Sequence, residues 1–411
     1  MALETVLQSP KLDPRVCMTA SKFKNPYRPG AGHQPPHLAG RHKERTEFTR
    51  LLDQEIILEN PILTGLRGVG KTVLLDTFKP IAQRRGWLWA GTDLSESAST
   101  DESMLAVRVL TDVSLVSSSF SMLEENGSTK PAEHALDYCN KAPGLIADKL
   151  KAVLELVSES MPSDYRGIIF AYDEAQNLSD QAAKDQYPLS VLLEVFQSLQ
   201  RKEIPFMLLL TGLPTLLPKL VEARTYAERM FHVLFLERLS DEESEAAIRK
   251  PLERAPKKFS DESVDLIRRV SGGYPYFIQF ICREAYDVLL QMLKKGDSGG
   301  VPMREIMEKL DADFFRGRWV KASNRQRDFL SVIAHLPNAD TEFSAQQVVR
   351  ASKRAHNIKS FSPSYANQLL GQLADAGLVY KNRHGSYSLA VPMLDQFIRR
   401  QVQIMPTLFG T

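Results

Sequence analysis

Gly65-Leu66-Arg67-Gly68-Val69-Gly70-Lys71-Thr72 fits the pattern G-x-x-x-x-G-K-[ST], the phosphate-binding loop, or P-loop. Glycines let the backbone curl so that successive N–H groups point at phosphate oxygens, and the N-terminus of a following helix reinforces them. Lys71 is placed to reach the β- and γ-phosphates of a nucleoside triphosphate, and the Thr72 hydroxyl to ligate Mg2+. The flanks agree with the loop. Ile56-Ile57-Leu58 and Pro61-Ile62-Leu63-Thr64 supply an apolar strand before it, and Val73 to Phe78 a helix after it. Gly65, Arg67, Gly68, Val69, Gly70, Lys71, Thr72 and Val73 are therefore the expected nucleotide-binding set.

Gly167-Ile168-Ile169-Phe170-Ala171-Tyr172-Asp173-Glu174 is an apolar run that ends in two acids. In ATPases built on this loop, such a strand lies beside the loop's own strand and delivers a carboxylate to the Mg2+ shell. Asp173 suits that role. Glu174, one residue on, can polarise the attacking water as a general base. An Asp-Glu pair at a strand end reads equally well, on its own, as a solvated turn. Downstream of the loop it points to hydrolysis of ATP.

At 411 residues the chain is long enough for two or three domains, and its apolar (43%) and charged (25%) contents are ordinary for globular protein. The net charge of +2 says little about partners when averaged over the whole chain. No apolar run is long enough to span a bilayer and the N-terminus lacks a signal-peptide core, so a cytoplasmic protein without membrane contact is expected. Cys17, Cys139 and Cys282 are far apart and form no C-x-x-C pair, which argues against a disulfide framework and a zinc site.

Residues 1–37 are rich in Pro and basic side chains and read as an extended arm without a core of its own. Residues 38–239 alternate apolar strands with helical patterns. A helix is expected from Glu44 to about Glu55, and strands at Gly86–Ala90, Pro205–Leu210 and Phe231–Leu236. A largely helical insertion runs from about Asp101 to Met161, broken at Glu125-Asn126-Gly127-Ser128. Such alternation predicts an α/β fold, a parallel sheet with helices on both faces. Residues 240–300 turn purely helical and have the size of a small lid, ending in the glycine-rich break Lys294–Gly300. Residues 301–411 hold a linker and helices at Asn324–His335, Ser344–Ala351 and from Ser362-Pro363 to Ala376-Gly377. A short hairpin around Lys381–Ser386 follows, which is the winged helix-turn-helix order.

Together these residues resemble the AAA+/STAND P-loop ATPases, particularly the replication-initiator-like branch, over about Leu38 to Arg400. The resemblance implies a self-associating ATP switch requiring ATP and Mg2+, with further site residues. Leu38-Ala39-Gly40-Arg41 is similar to the family's opening box, which lies near the adenine. Thr211 occupies the sensor-1 position, at the end of the strand beside the acid-tipped one. Arg224 and Arg229 both lie where the family carries an arginine finger that reaches a neighbouring subunit's γ-phosphate. Arg229 is favoured because it leads directly into Phe231. Gly273-Tyr274-Pro275 resembles the STAND Gly-x-Pro motif, whose proline packs near the base. Many relatives place a sensor-2 arginine in this lid helix, and here Arg283 stands at a spacing that is not diagnostic.

Between Lys321 and Arg400 there are eleven Lys and Arg against five Asp and Glu, a net +6. That concentration suits electrostatic binding to the phosphates of duplex DNA. Lys353, Arg354 and Lys359 precede the third helix, Tyr365 and Asn367 lie at its front, and Lys381 and Arg383 lie in the wing. The alternative reading is a nucleotide-gated interaction or signalling protein, for example in phage defence or mobile-element function, whose winged helix binds a protein effector. A DNA-binding regulator that merely holds nucleotide fits less well with the Lys71, Asp173 and Glu174 set.

Overall fold

The computed structural model describes residues 24–117, 121–123, 129–131, 135–295, 302–339, 341–355, 358–383 and 385–404. Among these, residues 41–237 with 380–383 form one compact unit and the remainder form a second.

The first unit is built on five parallel strands: β1 (Asn60–Gly65), β2 (Trp87–Ala90), β3 (Gly167–Tyr172), β4 (Phe206–Gly212) and β5 (Phe231–Leu236). Their spatial order is β2-β3-β4-β1-β5. β1, β3 and β4 are buried at every position, as parallel strands covered on both faces must be. Ile62, Ile168, Phe170, Leu208 and Leu210 join one core with the helices Glu102–Ser117, Ile146–Glu159 and Pro188–Arg201. Leu63, Ile169, Met207 and Leu209 alternate with them and are also fully buried, on the opposite face. Helices His42–Leu52 and Lys71–Gln83 pack together through Phe48 and Phe78, stacked at 4.1 Å. This is the P-loop NTPase fold that the alternation of strands and helices predicts.

One expectation is corrected. The acid-tipped strand β3 is not the neighbour of β1, because β4 lies between them: Tyr172 pairs with Leu210, and Leu210 with Ile62. A crossover through helix Pro188–Arg201 carries the chain from β3 into that gap. The insertion also differs in detail. Its helices, Glu102–Ser117, Ala135–Lys141 and Ile146–Glu159, are joined by an antiparallel ribbon of Ser121–Leu123 with Thr129–Pro131. The expected break at 125–128 falls outside the described residues.

The second unit is helical apart from one strand, Ser386–Leu389. Asp241–Arg249 and Asp261–Ser271 start on Ser240 and Ser260, whose hydroxyls accept the N–H of Glu243 and Ser263. Pro275–Lys295 follows, and 296–300 of the expected break lie outside the described residues. Met303–Leu310 and Arg316–Lys321 flank a π-turn, Asp311–Phe315, that periodicity did not indicate. Then come Asn324–Ala334, Ala345–Ser352 and Pro363–Asp375, capped by Ser323, Ser344 and Ser362. β6 (Val379–Arg383) and β7 (Ser386–Leu389) form the hairpin, and Phe343 exchanges two 2.8 Å backbone bonds with Tyr387 of β7. A last helix, Leu394–Ile404, packs against Asn324–Ala334.

A single buried core runs through this unit from Leu239 to Ile398. Phe315 links its two ends, stacked at 6.0 Å on Phe277 and at 5.1 Å on Phe397. The N-terminal arm borrows the same core. Tyr27 is fully buried, and its hydroxyl donates to the Ile248 carbonyl. Asn25 Nδ2 donates to the Arg283 carbonyl and to Asp287 Oδ1, each at 2.8 Å.

Candidate nucleotide site

The site lies where β1 ends. Gly65 faces β5 so closely that a Cβ would lie 2.6 Å from the Leu236 carbonyl oxygen. Gly68 and Gly70 take φ of 81° and 92°, the left-handed conformations that turn loop amides to one side. Lys71 then opens the helix Lys71–Gln83. Its ammonium is 9% exposed and donates to the Gly65 and Leu66 carbonyls at 3.0 and 3.1 Å. Burial pulls its pKa down to about 8, with Arg67 in the same direction and Glu174 and Asp173 opposing.

Thr72 Oγ1 donates to Asp173 Oδ2 at 2.5 Å, across the intervening strand. Asp173 lies just past β3 and Thr72 in the first helical turn, so the two meet although their strands do not. Asp173 is 3% exposed, and its second oxygen accepts the Glu174 N–H at 2.8 Å. Burial raises the Asp173 pKa, opposed by those two hydrogen bonds. A hydroxyl and a carboxylate converging at a helix N-terminus are the hard oxygen donors that Mg2+ takes. Among the described residues, no group of three or more His, Cys, Asp or Glu is arranged to hold a metal, so the pair would share the ion with phosphates and water. Glu174 follows at φ 53°, exposed, its carboxylate accepting from Gln176.

Thr211 ends β4 opposite Leu63 of β1, fully buried, and its hydroxyl has no hydrogen-bond partner among the described residues. Thr64, missed by the sequence reading, shares that condition one residue before the loop. Its signal was a lone polar side chain in an apolar strand. Two orphaned hydroxyls beside a buried ammonium fit a site built for a polar ligand.

Arg41 is 8% exposed, and its guanidinium donates to the Val69 and Glu237 carbonyls at 3.0 and 2.8 Å, with Glu44 at 3.2 Å. It holds the loop in shape from behind. Arg224 and Arg229 separate clearly. Arg224 pairs with Glu194 at 3.5 Å, whereas Arg229 is exposed with no side-chain partner among the described residues. Arg229 precedes β5, and Phe231 pairs with Asn60 at the opposite end of the sheet from Gly65. Five residues of strand, about 17 Å, separate that end from the loop.

In the helical unit, Arg283 Nη1 donates to the Tyr27 carbonyl at 2.9 Å, so the arm occupies the lid arginine. Pro275, half-buried, opens the helix Pro275–Lys295. Lys353, Arg354, Lys359, Asn367 and Lys381 are exposed. The Arg383 side chain and His384 lie outside the described residues. Tyr365 is half-buried and stacks on Phe361 at 6.3 Å, while the Arg325 guanidinium lies 4.0 Å from the Phe361 ring. Four of the eleven cations are bound internally. Arg325 reaches the Lys359 carbonyl, Arg327 those of Trp319 and Val320, Arg399 that of Ala334, and Arg400 grips Asp311 through two bonds. Cys139 and Cys282 are buried free thiols. No described helix is long and apolar enough to cross a membrane.

Solved ATPase and ORC proteins share this fold. The Walker-type ATPase PABY2304 of Pyrococcus abyssi superposes with a TM-score of 0.56 at 16% identity, covering 88% of this chain and 96% of that one. The ORC2 protein of Aeropyrum pernix, solved in ADPNP–ADP complexes, gives 0.55 at 16% identity over 92% of this chain and 98% of that one. Its ADP form gives 0.52 at 16% identity over 96% and 98%. A family model described as a domain of unknown function, DUF8462, matches residues 312–398. None of the curated proteins compared matches the sequence.

Proposed function

We propose that this chain is a Mg2+-dependent ATPase that acts as a self-associating switch on duplex DNA. The observation that carries the reading is the 2.5 Å approach of Thr72 Oγ1 to Asp173 Oδ2 beside the buried Lys71 ammonium. Mg2+ held by that pair would neutralise charge on the β- and γ-phosphates. Lys71 exchanges the Gly65 and Leu66 carbonyls for phosphate oxygens, and the loop amides bind the rest of the chain of phosphates. Glu174 takes a proton from water as the water oxygen forms its bond to the γ-phosphorus. The bridging bond breaks, and ADP and inorganic phosphate leave. Thr211 offers its unpartnered hydroxyl to the γ-phosphate. A nucleotide bound in one of the structural neighbours, an ADPNP–ADP complex, supports the ligand class.

Arg229 acts in trans. It is unpaired and about 17 Å of strand away from its own loop, so it serves a neighbour's nucleotide. Helices Asn324–Ala334, Ala345–Ser352 and Pro363–Asp375 with the β6–β7 hairpin serve as a winged helix. Its exposed Lys353, Arg354, Lys359 and Lys381 meet DNA phosphates, and Asn367 meets a base edge. The buried free thiols suit a reducing cytoplasm.

The test is a size measurement with and without a slowly hydrolysed ATP analogue, repeated with duplex DNA at two salt concentrations. Assembly with the analogue, and salt-dependent DNA binding that appears only then, is the expected result. Assembly without any DNA affinity would transfer the winged helix to a protein partner.

A further inference from the structure

We infer that Gln176 is a positioning residue for Glu174, holding that carboxylate for water activation and tying it to the loop that leaves β4. This rests on the reading of Glu174 as the base. Gln176 sits in the one-turn 3-10 helix Ala175–Asn177 that follows the acid pair. Its Nε2 donates to Glu174 Oε2, while its Oε1 accepts the Leu213 N–H at 2.9 Å. The orientation of the amide follows from chemistry. A backbone N–H can only donate, so Leu213 takes the Oε1 end and Glu174 is left facing the donor end. The backbone of Gln176 is anchored too, because its carbonyl accepts from Lys219 Nζ at 2.8 Å. Burial lowers the Lys219 pKa, in keeping with a side chain committed to structure.

Room for this link depends on Gly212, the last residue of β4. A Cβ there would stand 2.7 Å from Gln176 Oε1 and 3.3 Å from the Gln176 nitrogen. Glu174 needs such support. It is exposed and sits at φ 53°, a backbone conformation that a non-glycine residue keeps only when its surroundings hold it. A freely rotating carboxylate would spend most of its time out of line with the attacking water. Leu213 is two residues from Thr211, so a shift of the β4 exit on γ-phosphate binding moves the amide and the carboxylate together.

The experiment is steady-state MgATP hydrolysis by the full chain carrying Gln176→Ala, Gly212→Ala, Glu174→Gln, or Gln176→Ala with Glu174→Gln. ATP affinity is measured for each. Gln176→Ala should lower kcat about 10- to 100-fold, the range for misplacing a catalytic group, with KM held within about threefold. Gly212→Ala should lower kcat in the same sense by displacing the amide. Adding Gln176→Ala to Glu174→Gln should cost nothing further. Unchanged or raised kcat in Gln176→Ala, while Glu174→Gln is inactive, overturns the positioning role alone. A loss of ATP affinity matching the loss of kcat, or an equal further loss in the double variant, makes Gln176 a folding residue and also overturns it. Full turnover by Glu174→Gln overturns the base assignment beneath it.

Discussion

The two units of this protein handle charge in opposite ways. In the sheet unit three charged groups around the loop are buried and already committed: Lys71 to loop carbonyls, Asp173 to Thr72, Arg41 to Val69. In the helical unit, cations such as Arg325, Arg327, Arg399 and Arg400 are bound internally, and others, among them Lys353, Arg354 and Lys359, stand in solvent. Chemistry on a phosphoryl group profits from preorganised, desolvated charge, because reorganisation is then not required at the moment of reaction. Holding a phosphate backbone profits from solvated charge that releases counterions as it binds. In the function proposed above, the contrast separates a site for reaction from a surface for adhesion.

The hardest way to break the contrast is Lys71→Ala. ATP binding by titration calorimetry should vanish, since the only buried cation of the loop is gone and no exposed residue replaces it. Binding at near native strength would mean the burial of Lys71 serves the fold and not the phosphates.

Arg229→Ala comes next. An arginine acting in trans is worth about a thousandfold or more in turnover. Turnover of the assembled protein should fall by that order, while the lone subunit keeps its ATP affinity. Mixing Arg229→Ala with Lys71→Ala protein should return part of the activity, because some interfaces then pair an intact loop with an intact arginine. No recovery in well-mixed assemblies assigns Arg229 a role within its own subunit.

A smaller effect is expected at the hairpin. Replacing Lys381 and Arg383 by Ala should weaken duplex binding by a similar factor for every sequence, because such cations meet phosphates. The slope of log affinity against log salt should shrink by roughly one unit for each phosphate that is no longer neutralised. An unchanged slope would remove the hairpin from the DNA surface.

The smallest effect sharpens the contrast directly. With its pKa near 8, Lys71 loses its proton as pH rises through that value in the free protein. Bound phosphate favours the ammonium and restores the proton, so ATP binding at pH 8 should take up about half a proton and weaken at higher pH. Calorimetry in buffers of different ionisation enthalpy reads this uptake. No uptake would show that the ammonium is already charged before nucleotide arrives.

Much of the sheet unit is legible along the chain because its elements are local. Fully buried strands read as unbroken apolar runs, and a P-loop must be contiguous since neighbouring amides make it. The Thr72–Asp173 pairing could be anticipated from motif logic, though not the strand that lies between them. A cap was equally visible: Ser362-Pro363 announces a helix start through its own chemistry. The helical unit was harder. Its last helix, Leu394–Ile404, has Leu394, Phe397 and Ile398 at helical spacing that was not read as a helix, and the π-turn at Asp311–Phe315 left no period that stood out.

Residue types and spacing alone therefore determined that a nucleotide loop, an acid-tipped strand and a basic, helix-rich C-terminal region exist, because each is a property of consecutive residues. The tertiary structure alone decided their relations. It inserted β4 between β1 and β3, gave Arg283 to the Tyr27 carbonyl, and paired Arg224 while leaving Arg229 bare. It also joined Gln176 to both Glu174 and Leu213. A hydrogen bond between residues 37 or 256 positions apart has no periodic trace in the chain, since its partners are brought together only when distant apolar faces find one another.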